Sequence, residues 1–394
     1  MRYDFDEIVD RRGTHNVKHD LAEKVFGTNE IIPMWVADMD FKTPDFIVKA
    51  LKERCKHEFF GYTYAYEGYT SSVLNWLKNH YNLPATKNDI HFIPGIVAGI
   101  AFCIQAFTKE NDKILILTPV YPPFINLPER NNRQVVCSKL KTENSRFSID
   151  FSDFFEKIKG CKMMILSNPH NPGGTVWSKE ELQRIARICH KNNVVVISDE
   201  IHADLILPGH KHHSFASVSE DAKECSITFI APSKTFNIAG LSSSISCIFN
   251  NNIKEKYYGY LNRNEIANGN IFAFTACEAA FNYGDNWLLQ LSSYLEKNVE
   301  YLRNFFENHL PMLKIIIPEA SYLIWIDFNA LGMNHEELKD FLVKKAKLGL
   351  NSGTEFGDGY EGFMRMNIGC PRSILITALD NLKSSIKSLG KLNE

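Results

Sequence analysis

Between Asp89 and Phe249 the chain repeats one pattern: a short run of aliphatic, β-branched or aromatic residues, a turn, then a longer stretch with helical spacing. This alternation constrains the fold more than any other feature, because parallel strands need long crossovers and helices supply them. Strands are expected at 90–93, 113–117, 134–139, 162–166, 194–198, 227–230 and 244–249. Helices are expected at 97–107, 151–158 and 179–191, the last preceded by Ser178 with Glu181 three residues on, the pattern of a capping box. Seven strands in one mainly parallel sheet make an α/β architecture, and such sheets gather ligands at the carboxyl ends of their strands. The turns after these strands are therefore where chemistry is sought.

Outside this stretch, Thr43-Pro44-Asp45 opens a helix to about Lys56, with threonine as the expected cap and proline at the first position. Helical spacing returns over 71–81. After about residue 285 the pattern changes to a long amphipathic helix at 287–306, strand-like 314–317 and 322–327, a helix near 335–347, strand-like 362–367 and a last helix at 372–389. A chain of 394 residues exceeds the usual size of one core. The expected division is a large domain over 43–287 and a smaller α+β domain joining 1–42 to 288–394.

A formal net charge of −2 gives no electrostatic reason to expect nucleic acid or an anionic membrane as partner. No apolar run approaches membrane-spanning length, and the opening MRYDFDEIVDRRG lacks the apolar core of a signal peptide. Nine scattered cysteines without a CxxC pair point to a reduced, cytoplasmic protein, not to a disulfide frame or zinc site. Asp38 and Asp40 flank Met39 and are read as turn or cap residues more readily than as a metal pair. His210, His212 and His213 are read as a solvated loop, with no metal site.

Four turns carry more specific signals. Lys234 follows the strand 227–230 through Ala231-Pro232-Ser233, and small residues at Ala239, Gly240 and 242–244 leave room for a flat ligand. Most lysines in such a place are solvated surface charges; one held in a cleft can form a Schiff base. Asp199, in Ser198-Asp199-Glu200-Ile201-His202, ends a strand that reads as buried, so its carboxylate needs a cationic partner. The turn 167–174, SNPHNPGG, holds Asn171 between prolines, and Tyr121 lies in TPVYPP. The loop PGIVAG, with Gly95, Ile96 and Val97, joins a strand to a helix whose N-terminal N–H groups can hold a phosphate.

NPHNPGG, SDEIH and APSKTFNIAGL occurring together resemble the fold type I pyridoxal-phosphate enzymes of the class I and II aminotransferase kind, over nearly the whole chain. VADMDF, GYTY, DEIH and MRMNIGCPRS look more narrowly like the MalY/PatB type of cystathionine β-lyases, which include cystalysin-like cysteine desulfhydrases. The resemblance implies pyridoxal 5′-phosphate linked to Lys234, with Asp199 on the pyridine nitrogen, Asn171 on the ring oxygen and Tyr121 stacked on the ring. It implies Gly95, Ile96 and Val97 at the phosphate, Ser233 as a nearby donor, and Arg365 on the substrate carboxylate. Tyr62 would reach the phosphate from a second subunit, which requires a homodimer. His202 stands where related aminotransferases carry tyrosine, and Ser242 where they often carry arginine. The implied reaction is α,β-elimination from cystathionine, cysteine or a related S-substituted cysteine; transamination and a regulatory binding role are the alternatives.

Overall fold

In a computed structural model, which describes residues 2–391, all seven expected strands form one sheet. They are β1 (Ile90–Ile93), β2 (Lys113–Thr118), β3 (Gln134–Lys139), β4 (Cys161–Ser167), β5 (Val195–Asp199), β6 (Ser226–Ile230) and β7 (Ser244–Cys247). Their order across the sheet is β1-β7-β6-β5-β4-β2-β3. Only β7 runs antiparallel to its neighbours, β1 and β6; the remaining pairs are parallel.

The strands read as continuous apolar runs because both faces of the sheet are covered. Alternate residues of β2 and β4 divide between two cores. Ile114, Ile116, Met163 and Ile165 pack with helices Ile96–Phe107 and Asn251–Arg263. Leu115, Leu117, Met164 and Leu166 pack on the other side with Phe154 and helix Lys179–Lys191. Ser178 and Glu181 form the expected capping box on that last helix.

A second sheet of four antiparallel strands comprises β8 (Lys314–Ile316), β9 (Leu323–Asp327), β10 (Asn351–Ser352) and β11 (Phe363–Asn367), in the order β8-β9-β11-β10. Helices Asp285–His309 and Arg372–Ser388 pack with it. The amino-terminal segment adds Ile32–Pro33 alongside Leu348–Gly349 in parallel.

Several local expectations need correction. Thr43 does not cap helix Asp45–Cys55: its hydroxyl donates to the Asn237 carbonyl, and Pro44 occupies the cap position without a side-chain bond. The helix expected over 335–347 is shorter, His335–Asp340, and passes into a π-helical turn at Phe341–Lys345. Asp38 and Asp40 serve neither a turn nor a helix cap. Arg11 reaches Asp38 at 2.6 Å and Asp40 at 2.8 Å, and buried Lys18 reaches Asp40 at 2.7 Å, which ties the segment 35–41 to the amino terminus. His212 is not solvated: it is buried with its Nε2 3.0 Å from Glu200.

Candidate active site

The turns after β1, β2, β4, β5 and β6 converge on one cavity of about 320 Å³. That volume lies at the lower end of the range for small-molecule sites, about 300–1,000 Å³. Gly95, Ile96, Val97, Tyr121, Asn171, Asp199, His202, Ser233 and Lys234 all line it, joined by Ala37, Ser167, Ile201 and Ser242–Ser244. Of the residues singled out from sequence, Arg365 lies just behind this lining and Tyr62 lies away from it.

Lys234 has no regular element of its own. It sits in a turn closed by Phe236 N–H on the Pro232 carbonyl and Ile238 N–H on the Ser233 carbonyl, each at 3.0 Å. Its Nζ donates to the Ala37 carbonyl at 2.6 Å. Enclosure by protein lowers its pKa to about 8, against the pull of Asp38 and Asp199. Asp199 ends β5 with its Oδ1 accepting the Ile201 N–H at 3.0 Å. Burial raises its pKa to about 7, and no ion pair relieves it among the described residues. A buried carboxylate in that condition is suited to a cationic ligand atom.

Asn171 and Arg365 are joined. Arg365 Nη1 donates to Asn171 Oδ1 at 3.1 Å, while Nη2 donates to the Trp35 carbonyl and to Asn351 Oδ1 at 2.9 and 2.6 Å. Its Nε, fully buried, has no partner. The guanidinium stands 5.0 Å over the Phe356 ring, and burial lowers its pKa to about 10. A buried guanidinium whose present partners are all neutral, with one N–H still unmet, suits a ligand carboxylate. Because Asn171 Oδ1 is taken by Arg365, its amide N–H₂ is the end available to donate to a ligand.

Also on the cavity lining, helix Ile96–Phe107 begins with Gly95 at φ +100°, a conformation that favours glycine. Gly95 N–H is engaged by the Ile93 carbonyl, and the first helical bond runs from Gly99 to Gly95. The N–H groups of Ile96, Val97 and Ala98 therefore precede the helical ladder and face the start of the dipole. Lys234 is the sole lysine or arginine among the described residues lining the cavity, so a phosphate there would meet N–H groups and the hydroxyls of Ser242–Ser244. His202 is buried, with Nδ1 3.2 Å from the Ser321 hydroxyl, and burial drops its pKa to about 3, so it acts as a neutral ring.

Pyridoxal phosphate fits these residues: an amine at Lys234, an unpaired carboxylate at Asp199, and helix N–H groups ahead of the helical ladder at Ile96–Ala98. Tyr62 is fully exposed, in an outer groove with Phe60 and Phe272, and nothing within this chain brings it to the cavity. Sequence reasoning takes residues 35–41, 121–124 and 352–360 as candidates for lining the entrance, and Ala37 does line the cavity, but it does not single out the Ala37 carbonyl as the partner of Lys234, nor Asn351. A backbone acceptor leaves no mark on residue type, and Asn351 follows a π-helical turn that the helical spacing concealed.

The family model for aminotransferase class I and II matches residues 29–382. The cystathionine beta-lyase PatB of Bacillus subtilis is 42% identical over 384 residues, covering 97% of this chain and 99% of that protein. The structure of cystalysin from Treponema denticola, which contains pyridoxal 5′-phosphate, superposes with a TM-score of 0.94 at 34% identity over 99% of this chain and all of that one. The pyridoxal-phosphate-bound C-S lyase of Staphylococcus hominis gives a TM-score of 0.91 at 34% identity, over 98% of each chain.

Proposed function

From its place in the aminotransferase class I and II family, to which the chain belongs, we propose that it is a pyridoxal-phosphate-dependent carbon–sulfur β-lyase acting on L-cystathionine or a related S-substituted cysteine. The observation that carries the cofactor is one cavity joining Lys234, an unpaired Asp199 and the open N-terminus of helix Ile96–Phe107. The likeness to PatB, cystalysin and the C-S lyase favours elimination over transamination.

When bound, pyridoxal phosphate supplies the electron sink that makes the substrate Cα–H acidic. Arg365 receives the substrate carboxylate at its unmet Nε–H, in the plane of the guanidinium, with Asn351 and the Trp35 carbonyl fixing the guanidinium through Nη2. Lys234 would hold the cofactor through its Nζ. Its Nζ then takes the Cα proton, and a pKa near 8 leaves a share of the amine neutral close to pH 7. Asp199 would hold the ring nitrogen of the cofactor, and a positive charge there would favour the carboxylate form that burial alone disfavours. Asn171 would donate its amide N–H to a cofactor oxygen, Tyr121 would lie against the ring, and Ser233 and His202 would complete the wall. The proton on Lys234 passes to the departing sulfur, and the released 2-aminoacrylate hydrolyses to pyruvate and ammonia.

The same reading gives a homodimer in which Tyr62 reaches the partner's phosphate. Its support is an exposed aromatic loop, with Phe59, Phe60, Tyr62 and Tyr64 all open to solvent. A cytoplasmic setting accords with nine free cysteines. No helix among the described residues is long and apolar enough to cross a membrane. We also read residues 43–287 as the large domain and 1–42 with 288–394 as the small one, supported by the pairing of Ile32–Pro33 with Leu348–Gly349.

The test is to give cofactor-loaded protein L-cystathionine and to assay homocysteine and pyruvate with and without a keto acid. Equal amounts of both products without the acceptor are expected. Transfer of the amino group to the keto acid, with the C–S bond left intact, would make the protein an aminotransferase.

A further inference from the structure

Asp204 is a buried carboxylate to which none of the roles above has been given. Its Oδ1 accepts from Trp76 Nε1 at 3.0 Å and from the Tyr81 hydroxyl, and its Oδ2 accepts from the Thr235 hydroxyl at 2.8 Å. All its partners are neutral donors. A charge removed from water needs such bonds to persist, and here one of them leads straight to the site: Thr235 is the residue after Lys234. Thr235 is itself fully buried, and its carbonyl accepts from Trp287 Nε1 at 2.9 Å.

Asp204 lies two residues beyond His202 and five beyond Asp199, in the turn that follows β5. That turn is closed by Leu205 N–H on the His202 carbonyl and Ala203 N–H on the Glu200 carbonyl, both at 3.0 Å. The bond to Thr235 therefore crosses from the loop that carries Asp199 to the loop that carries Lys234. On the far side, the indole of Trp76 is packed between His80 and Phe281, with ring centroids at 3.7 and 4.9 Å, so the carboxylate is held from a rigid element.

Lysine has four rotatable carbons, and a side chain that must be displaced and return needs its backbone fixed if its amine is to meet the same atom. We propose that Asp204 and Thr235 are positioning residues that lock the Lys234 backbone against the Asp199 turn, so that Nζ meets the substrate Cα proton in one orientation. The proposal rests on the reading of Lys234 as the proton-transferring amine. Misplacement of a reacting group by about 1 Å can slow a step about 10²-fold. A hydroxyl-to-carboxylate bond one residue from the amine controls displacements of that size.

Thr235→Val keeps the shape of the side chain and removes the donor; Thr235→Ser keeps the donor and removes a methyl. For Thr235→Val, kcat should fall about ten-fold or more with KM changed less than about two-fold, and the effect of deuterium at the substrate Cα on kcat should rise. Thr235→Ser should return kcat and the isotope effect to near wild type. Two further readouts do not depend on C–S cleavage: the rate at which the Cα proton of a bound amino acid exchanges into D₂O, followed by NMR, and the pH midpoint of the lysine–cofactor absorbance. Slower exchange and a moved midpoint in Thr235→Val, restored by serine, support the clamp even if the wild-type protein proves to transaminate. Should Thr235→Val not fold, Thr235→Ala carries the same expectations. A variant that loses thermal stability while keeping kcat, exchange and midpoint, or a serine variant as impaired as valine, overturns the proposal.

Discussion

Lys234 should destabilise the cofactor-free fold, and replacing it with methionine should stabilise that fold at neutral pH. In the folded chain its pKa falls from 10.5 to about 8, chiefly through burial. At about 1.4 kcal/mol per pH unit, such a fall corresponds to about 3 kcal/mol. The lost bond to Ala37 returns about 1 kcal/mol to the wild type, leaving a net gain of about 2 kcal/mol for Lys234→Met, less whatever cavity water screens. The sign follows from proton counts. Between pH 8 and 10.5 the unfolded lysine holds its proton while the folded one has shed it, so wild-type stability rises with pH across that window. Below pH 8 both states are charged and the penalty is complete; above 10.5 both are neutral and it is gone. Urea unfolding of cofactor-free wild type and Lys234→Met, at one protein concentration, at pH 7.5 and at steps to 10, measures the difference. The variant should be the more stable at pH 7.5, and its lead should shrink as the pH rises. A variant that is equally or less stable at pH 7.5, or a lead that stays constant to pH 10, would refute the reasoning.

Asp199→Asn should behave in the mirror sense. The folded wild-type carboxyl is raised from 3.8 to about 7, so cofactor-free wild type loses stability as pH climbs through that window, and the variant should gain on it there by urea unfolding. In loaded protein the same change should lower kcat by about 10²-fold or more, since the charge facing the ring nitrogen is gone; unchanged turnover would remove Asp199 from that role. Arg365→Ala should raise KM for the amino acid about ten- to a hundred-fold, the value of a charge-assisted pair, and an unaltered KM would count against Arg365 as the carboxylate site. If Tyr62 serves the partner's cavity, remixing inactive Lys234→Ala with impaired Tyr62→Ala chains in equal amounts should restore about a quarter of wild-type sites through hybrid dimers. No recovery on remixing would place Tyr62 elsewhere.

The strand ends are legible because a sheet covered on both faces writes itself as unbroken apolar runs; most of these runs stop at proline, glycine or asparagine, and the run before Asp199 stops at a pair of carboxylates, Asp199-Glu200. That is why the sequence alone points to Asn171, Asp199 and Lys234, and with them to the edge of the sheet they share. Helix Ile271–Tyr283 was not found for the same physical reason in reverse. Seven of its residues are buried, Ala276, Cys277 and Ala280 among them, and an element apolar on most sides has no stripe to show its period. His212 was misread because Lys211 and His213 beside it are polar; what fixes it is Glu200, a residue whose burial beneath the loop only the fold decides.

The segment 35–38 shows why the rest of the site stayed hidden. Its successive carbonyls are claimed by side chains from far along the chain. Trp35 O takes Arg365, Val36 O takes Asn367, Ala37 O takes Lys234 together with Tyr322, and Asp38 O takes Asn367 and Lys18. Each carbonyl is an acceptor that every residue type possesses, so sequence cannot rank one above another. The ion pairs of Arg11 and Lys18 with Asp38 and Asp40 then have a purpose beyond holding the amino terminus: they set the path of the backbone on which the amine of Lys234 and the fork of Arg365 both rest. The site is thus assembled from two kinds of information. Side chains at strand ends are written locally, whereas the acceptors that aim them come from a segment defined only by where buried charge ties it down.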